Sequence, residues 1–175
     1  MLDFSQLDKY KENNRIEAKK AQGGLPRSIW ETYSAFANTF GGYILLGVVE
    51  NADKSFSSVP LPSPETLVAD FWNSVNNTAN VSVNILSERN VQIVESGGNR
   101  IVVVEVPRAD RHDKPVYIGT NPFAGSYRRN GEGDYRCTKD EVRAMMRDQA
   151  DISQDARVMD TMTTDVFDMD TIRRY

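Results

Sequence analysis

The chain carries one cysteine, Cys137, and one histidine, His112, among 175 residues. A lone cysteine closes no internal disulfide, and one Cys with one His does not make the four-ligand set of a structural zinc site. Cys137 is therefore expected to be a partly buried thiol without a chemical role. No apolar run reaches the roughly 18 residues that mark a membrane-spanning helix, so no membrane partner is expected. The opening MLDFSQLDKYKENNR mixes acidic with basic residues and lacks the apolar centre of a signal peptide, which leads to the expectation of a cytoplasmic location. A basic excess is also missing. The formal net charge of −4 argues against binding nucleic acid by bulk charge alone.

What is present suits one globular domain with a continuous core, since 39% of the residues are hydrophobic and 26% charged. The charge is unevenly spread. Residues 100–147 hold ten Lys/Arg against seven Asp/Glu, whereas residues 149–175 hold six Asp against three Arg. The domain is accordingly placed at residues 1–148, with residues 149–175 as an acidic arm or linker towards a further region.

Along the chain, residues 2–11 suit a short helix docking Leu2, Phe4 and Leu7. RIEAKKA suits a short strand with a polar face carrying Glu17 and Lys19. GGLP makes a turn, and Pro26 fits a first helical position. Ile29, Tyr33, Phe36, Ala37 and Phe40 then recur at helical spacing as one buried stripe. Next stands AFANTFGG. Gly41 suits a left-handed helix end and Gly42 an immediate turn into YILLGVV, which is apolar on both faces as a central strand requires. Asn38 and Thr39 are polar groups at a buried junction and need partners. Asn38 is expected to tie down loop backbone, with a ligand as the alternative.

NADKSFSSVPLPSP reads as a loop. Ser63 caps a following helix with Pro64 at its first position and Leu67, Val68, Phe71, Trp72 and Val75 inside. Alternating runs at Val81–Leu86 and Val91–Glu95 lead to SGGNR, a hairpin turn, and IVVVEVP. Short strands fit near Val116–Ile118 and Ser126–Arg129 within a loop-rich region. Thr138 and Glu141 form a capping box for a last helix covering Val142, Met145 and Met146. The pattern predicts an α+β fold: a mixed, mainly antiparallel sheet with helices packed on it.

Three chemistries compete. Glu12, Glu17 and Glu50 are carboxylates of the kind that hold Mg²⁺ or Mn²⁺ for phosphodiester cleavage, although spacing alone does not bring them together. GGLPRS offers backbone N–H groups and Arg27 at a helix start, an anion site, but lacks the Lys-Ser/Thr ending of a nucleotide-binding loop. Arg128, Arg129, Tyr135 and Arg136, with Arg108, Arg111 and Lys114 preceding them, suit phosphate contact and base stacking.

The blocks ENNRIEAKK, AFANTFGGYILLGV, PVYIG, SYRRNGEGDYRCT and KDEVRAMM, in this order, resemble the Schlafen AlbA_2 domain family over roughly residues 10–148. The resemblance implies an α+β domain that binds nucleic acid, DNA ahead of RNA, as a module of bacterial-type transcriptional regulators. In animal relatives a similar core cuts structured RNA with three carboxylates. Glu12 and Glu17 match the first two positions, but Val49 stands at the third and Glu50 follows one residue later. Strand neighbours point to opposite faces, which places the displaced Glu50 away from such a site.

The leading expectation is a non-catalytic binding module without a cofactor, with Lys19, Lys20, Arg27, Arg128, Arg129 and Arg136 as phosphate contacts. Asn38, Thr39, Gly41 and Gly42 fix the junction beneath them. The alternatives are a metal-dependent nuclease using Glu12, Glu17 and Glu50, and a protein-interaction module that joins copies into a homo-oligomer.

Overall fold

The computed structural model describes residues 2–160, with side chains described through residue 150. β1 (Ile16–Lys19) is followed by α1 (Ile29–Asn38) and β2 (Gly42–Leu46). Pro26 stands ahead of α1, and its carbonyl accepts the Ile29 N–H at 3.1 Å in a lead-in turn. A hairpin of β3 (Val48–Glu50) and β4 (Phe56–Ser58) precedes α2 (Pro64–Val75). β5 (Val91–Ser96) and β6 (Asn99–Val106) are joined through Gly97 and Gly98, both at positive φ as a two-residue hairpin turn demands. The short α3 (Pro122–Gly125), the hairpin β7 (Tyr127–Asn130) and β8 (Gly133–Arg136), and α4 (Lys139–Asp160) complete the order.

The main sheet runs β1-β2-β6-β5. β1 and β2 are parallel, joined through α1, and the other pairings are antiparallel. The mixed, mainly antiparallel α+β fold read from the sequence is thus the fold observed. β2 lies inside the sheet and buries both faces. Ile44 and Leu46 join Val102, Val104 and Val106 under Tyr33, Phe36 and Phe71 of the helices. Leu45 on the other face joins Ile101 and Val103 beneath Phe4, Leu7 and Phe56. Each fully buried side chain of this size contributes about 1.5–3 kcal/mol relative to exposure.

Ser63 caps α2 as expected, its Oγ accepting the Thr66 N–H at 3.3 Å. The Thr138–Glu141 capping box is also formed, with bonds of 2.7 and 3.2 Å.

Elsewhere the structure departs from the pattern. Residues 81–86 form only an isolated bridge, Val81 to Ile118, rather than a strand. The Tyr33 hydroxyl takes over there, donating to the Val83 carbonyl at 3.2 Å and accepting the Ile85 N–H at 3.0 Å. Burial pushes that phenol up to about 12. Residues 116–118 likewise make single bridges, to Val81 and Ser126. NADKSFSS, expected as loop, forms most of the β3–β4 hairpin, the strand expected near Ser126–Arg129 is paired by Gly133–Arg136, and the short α3 lies within the stretch expected to be loop-rich. Near the start only a single turn, Leu7–Lys9, is helical, and Leu2 stays exposed. Phe40 leaves the buried stripe because α1 ends at Asn38, before the helical period reaches it. α4 continues past residue 148 to Asp160, and residues 161–175 of the expected arm lie outside the described residues.

Candidate nucleic-acid interface

The end of α1 is fastened to the β7–β8 region by its polar residues. Asn38 Nδ2 donates to the carbonyls of Val116 at 2.8 Å and Tyr127 at 3.0 Å, while its Oδ1 accepts the Val116 N–H at 2.8 Å. Ser34, one helical turn earlier, donates to the Val116 carbonyl at 2.7 Å and accepts the Tyr127 N–H at 3.0 Å. Thr39 Oγ1 accepts the N–H of Arg129 at 3.0 Å. These side chains replace the strand partner that β7 lacks on that edge, so Asn38 ties down backbone and does not face a ligand. The glycines that follow are required by close approach. A Cβ on Gly41, at φ +72°, would stand 2.7 Å from the Val106 carbonyl oxygen, and one on Gly42 would stand 2.7 Å from that of Arg15.

Below this junction lies a chain of charges. Glu17 receives Lys19 Nζ at 3.2 Å on one carboxylate oxygen and Arg129 Nη2 at 3.0 Å on the other. Arg129 Nη1 meets Asp134 at 2.8 Å, and the other Asp134 oxygen accepts the Thr32 hydroxyl at 2.7 Å. Arg129 Nη2 also donates to the Asn13 carbonyl at 2.8 Å. The guanidinium carbon lies 5.1 Å from the centre of the Phe36 ring. Among the described residues Arg129 Nε has no hydrogen-bond partner, and the face of Phe36 offsets part of that cost.

The expected phosphate contacts divide accordingly. The Arg129 side chain is 1% exposed, so its assignment as a phosphate contact is corrected: it is a tie between β1, β7 and β8. Lys19 is 10% exposed and held by Glu17 and Ser28. Lys20, Arg27 and Arg136 are exposed, and Arg128 is half-exposed with Nε 3.2 Å from Glu141. These four stand around one region, because Lys19 reaches Ser28 beside Arg27 and Thr32 reaches Asp134 in β8.

Glu50 lies nearer than its displaced position implies, since its charge and that of Glu17 both act on Glu12, and all three glutamates have protein donors. Glu12 accepts the Ala18 N–H at 3.1 Å, Glu17 holds two cations, and Glu50 pairs with Lys54 at 2.8 Å. Burial raises the Glu12 carboxyl above its usual range, and the charges of Glu17 and Glu50 raise it further against the pull of the Ala18 N–H and Arg129. Among the described residues no three His, Cys, Asp or Glu side chains are grouped to hold a metal ion. Each of the three has a protein donor on at least one oxygen: the Ala18 N–H on Glu12, Lys19 and Arg129 on Glu17, and Lys54 on Glu50.

Thr32, Ser34 and Asp134 were missed in the sequence. Ser34 had a readable signal, being spaced four residues from Asn38 on the same face of α1. Asp134 had none, since only the hairpin register places it opposite Arg129.

A helix-bounded mixed sheet whose α1 end is clamped to a charged hairpin defines the class of this domain. The chain belongs to the Schlafen AlbA_2 family, which it matches over residues 10–138. It is also similar to the solution NMR structure of the N-terminal domain of a protein from Nitrosomonas europaea, named as related to the ATP-dependent DNA helicase RecG. The identity is 37%, covering 71% of this chain and 84% of that one, with a TM-score of 0.53. No curated protein matches.

Proposed function

We propose that this domain binds nucleic acid, DNA in the first instance, as a non-catalytic module of a transcriptional regulator. Membership of the Schlafen AlbA_2 family and the likeness to a RecG-related domain support a nucleic-acid-associated role. The observation that carries the reading is the buried Glu17–Arg129–Asp134 chain. It joins the strand that leads to Lys20 and Arg27 with the hairpin that bears Arg128 and Arg136, so cations from distant parts of the sequence share one rigid support. Phosphates attract such a set whatever the base sequence.

The test is fluorescence anisotropy of a labelled DNA in a salt series. Affinity falls steeply as salt rises, and Arg128→Gln or Arg136→Gln weakens binding and makes the salt dependence shallower, by about one unit of slope for each phosphate no longer neutralised. Affinity unmoved by salt and by both substitutions rejects the proposal. DNA incubated with Mn²⁺ stays intact on a denaturing gel, and metal-dependent shortening would favour the nuclease alternative.

A further inference from the structure

Phe40 lies four residues after Phe36 and seven after Tyr33, both fully buried, yet it is 59% exposed. Its backbone is held on both sides. Thr39 donates its N–H to the Phe36 carbonyl at 3.2 Å and accepts from Arg129, while Gly41 donates to the same carbonyl at 2.8 Å. A side chain on Gly41 would run into the backbone of Val106 and Arg108, so no residue but glycine fits there. The ring is thus shown to solvent from a fixed point, with little backbone freedom to lose on contact.

The surroundings specify what it meets. Asn38 and Thr39 run along the free edge of β7, and β8 occupies the opposite edge. Arg128 and Tyr135 are register partners in that hairpin, alternating with the inward pair Arg129 and Asp134. Tyr135 is 53% exposed. Phe40 directly follows Thr39, which holds the Arg129 N–H of β7, and Arg128 and Tyr135 are paired in the same hairpin, Arg128 also meeting Glu141 at 3.2 Å. Bases in a duplex present edges rather than faces, whereas an unpaired strand offers flat faces alternating with phosphates.

We infer that Phe40 is a base-stacking residue, and that with Arg128 and Tyr135 it selects unpaired nucleotides over duplex. This inference rests on the nucleic-acid reading above. It names the strand form that the same surface takes and a residue to which that reading assigns no part. A Phe beside solvent has few rotatable bonds, and stacking on it is tolerant of base identity.

The test compares wild type with Phe40→Leu and Phe40→Trp on two probes. One is a single strand of about fifteen nucleotides carrying 2-aminopurine between thymines, and the other is a blunt duplex of equal length. Wild type binds the single strand more tightly and quenches 2-aminopurine. Phe40→Leu loses about tenfold or more in single-strand affinity and the quenching, with duplex binding unchanged, while Phe40→Trp keeps both. Thermal unfolding of the three proteins confirms that the fold is retained. If Phe40→Leu binds and quenches like wild type, stacking is overturned while nucleic-acid binding stands. If wild type binds neither probe, the underlying reading falls and this inference with it.

Discussion

Arg129 Nη2 meets Glu17 Oε2 at 3.0 Å, linking β7 to β1 across most of the chain. Removing the guanidinium leaves Glu17 and Asp134, each under one-fifth exposed, without their shared cation. Arg129→Met is expected to cost about 3–5 kcal/mol, the range for breaking a buried pair. Glu17→Gln, which keeps an acceptor for Arg129, costs less. Urea unfolding of the two variants checks this, and an unchanged midpoint for Arg129→Met would show that the charge chain contributes nothing to the fold.

Asn38 satisfies two carbonyls and one amide on edges that no neighbouring strand covers. Asn38→Leu is similar in size but strands the Tyr127 carbonyl and the Val116 N–H, at about 1–3 kcal/mol for each one left buried without a partner, while Ser34 Oγ still serves the Val116 carbonyl. Hydrogen exchange reads it directly: the Val116 amide, now protected by Asn38 Oδ1, exchanges faster in the variant, by more than amides of β6.

For Glu12 the sign follows from a carboxyl raised by burial above its ordinary value of 4.5. A raised carboxyl favours the fold while protonated, and that contribution is lost as pH rises through the folded value. At neutral pH the charged group therefore opposes folding. Glu12→Gln keeps an oxygen for the Ala18 N–H, removes repulsion from Glu17 and Glu50, and raises Tm at neutral pH. The gain shrinks as pH falls into the carboxylate range. Equal gains at both pH values would refute the burial argument.

Cys137 is 6% exposed, and burial lifts its thiol to about 11, with the Glu141 charge adding to the effect. Thiolate is the reactive form. In native protein at mildly alkaline pH the thiol is expected to resist an aromatic disulfide reagent, and in urea it titrates fully. Rapid labelling of the native protein would contradict this.

These predictions also mark how far the sequence could be read. β2 was legible as far as Leu46 because an apolar run on both faces has few other uses, but Gly47, at φ +86°, breaks the expected YILLGVV strand and sends Val48–Glu50 into a separate hairpin. The caps at Ser63 and Thr138 were legible because their chemistry is local. The capping box needs only four consecutive residues. The charge chain was not legible in the same way. Arg129 looked like a surface cation beside Arg128, and only the alternation of β7, with its register against Asp134, turns it inward. Nothing near Glu17 announces a partner from the far end of the chain. Residues 81–86 failed for a related reason: their alternating pattern is genuine, but a strand needs a neighbour, and here the Tyr33 hydroxyl and a bonded pair of Ser82 with Tyr117 serve instead.

The two-residue period of the β7–β8 hairpin separates holding from touching within one short stretch. Arg129 and Asp134 are committed to the scaffold, whereas Arg128 and Tyr135 stand on the other face of the hairpin, where Arg128 meets Glu141 of α4. A saturation scan of this hairpin would then print as a striped pattern, intolerant positions alternating with permissive ones. Under the proposed function, an engineer would retune the surface by changing every second residue and leaving the others alone.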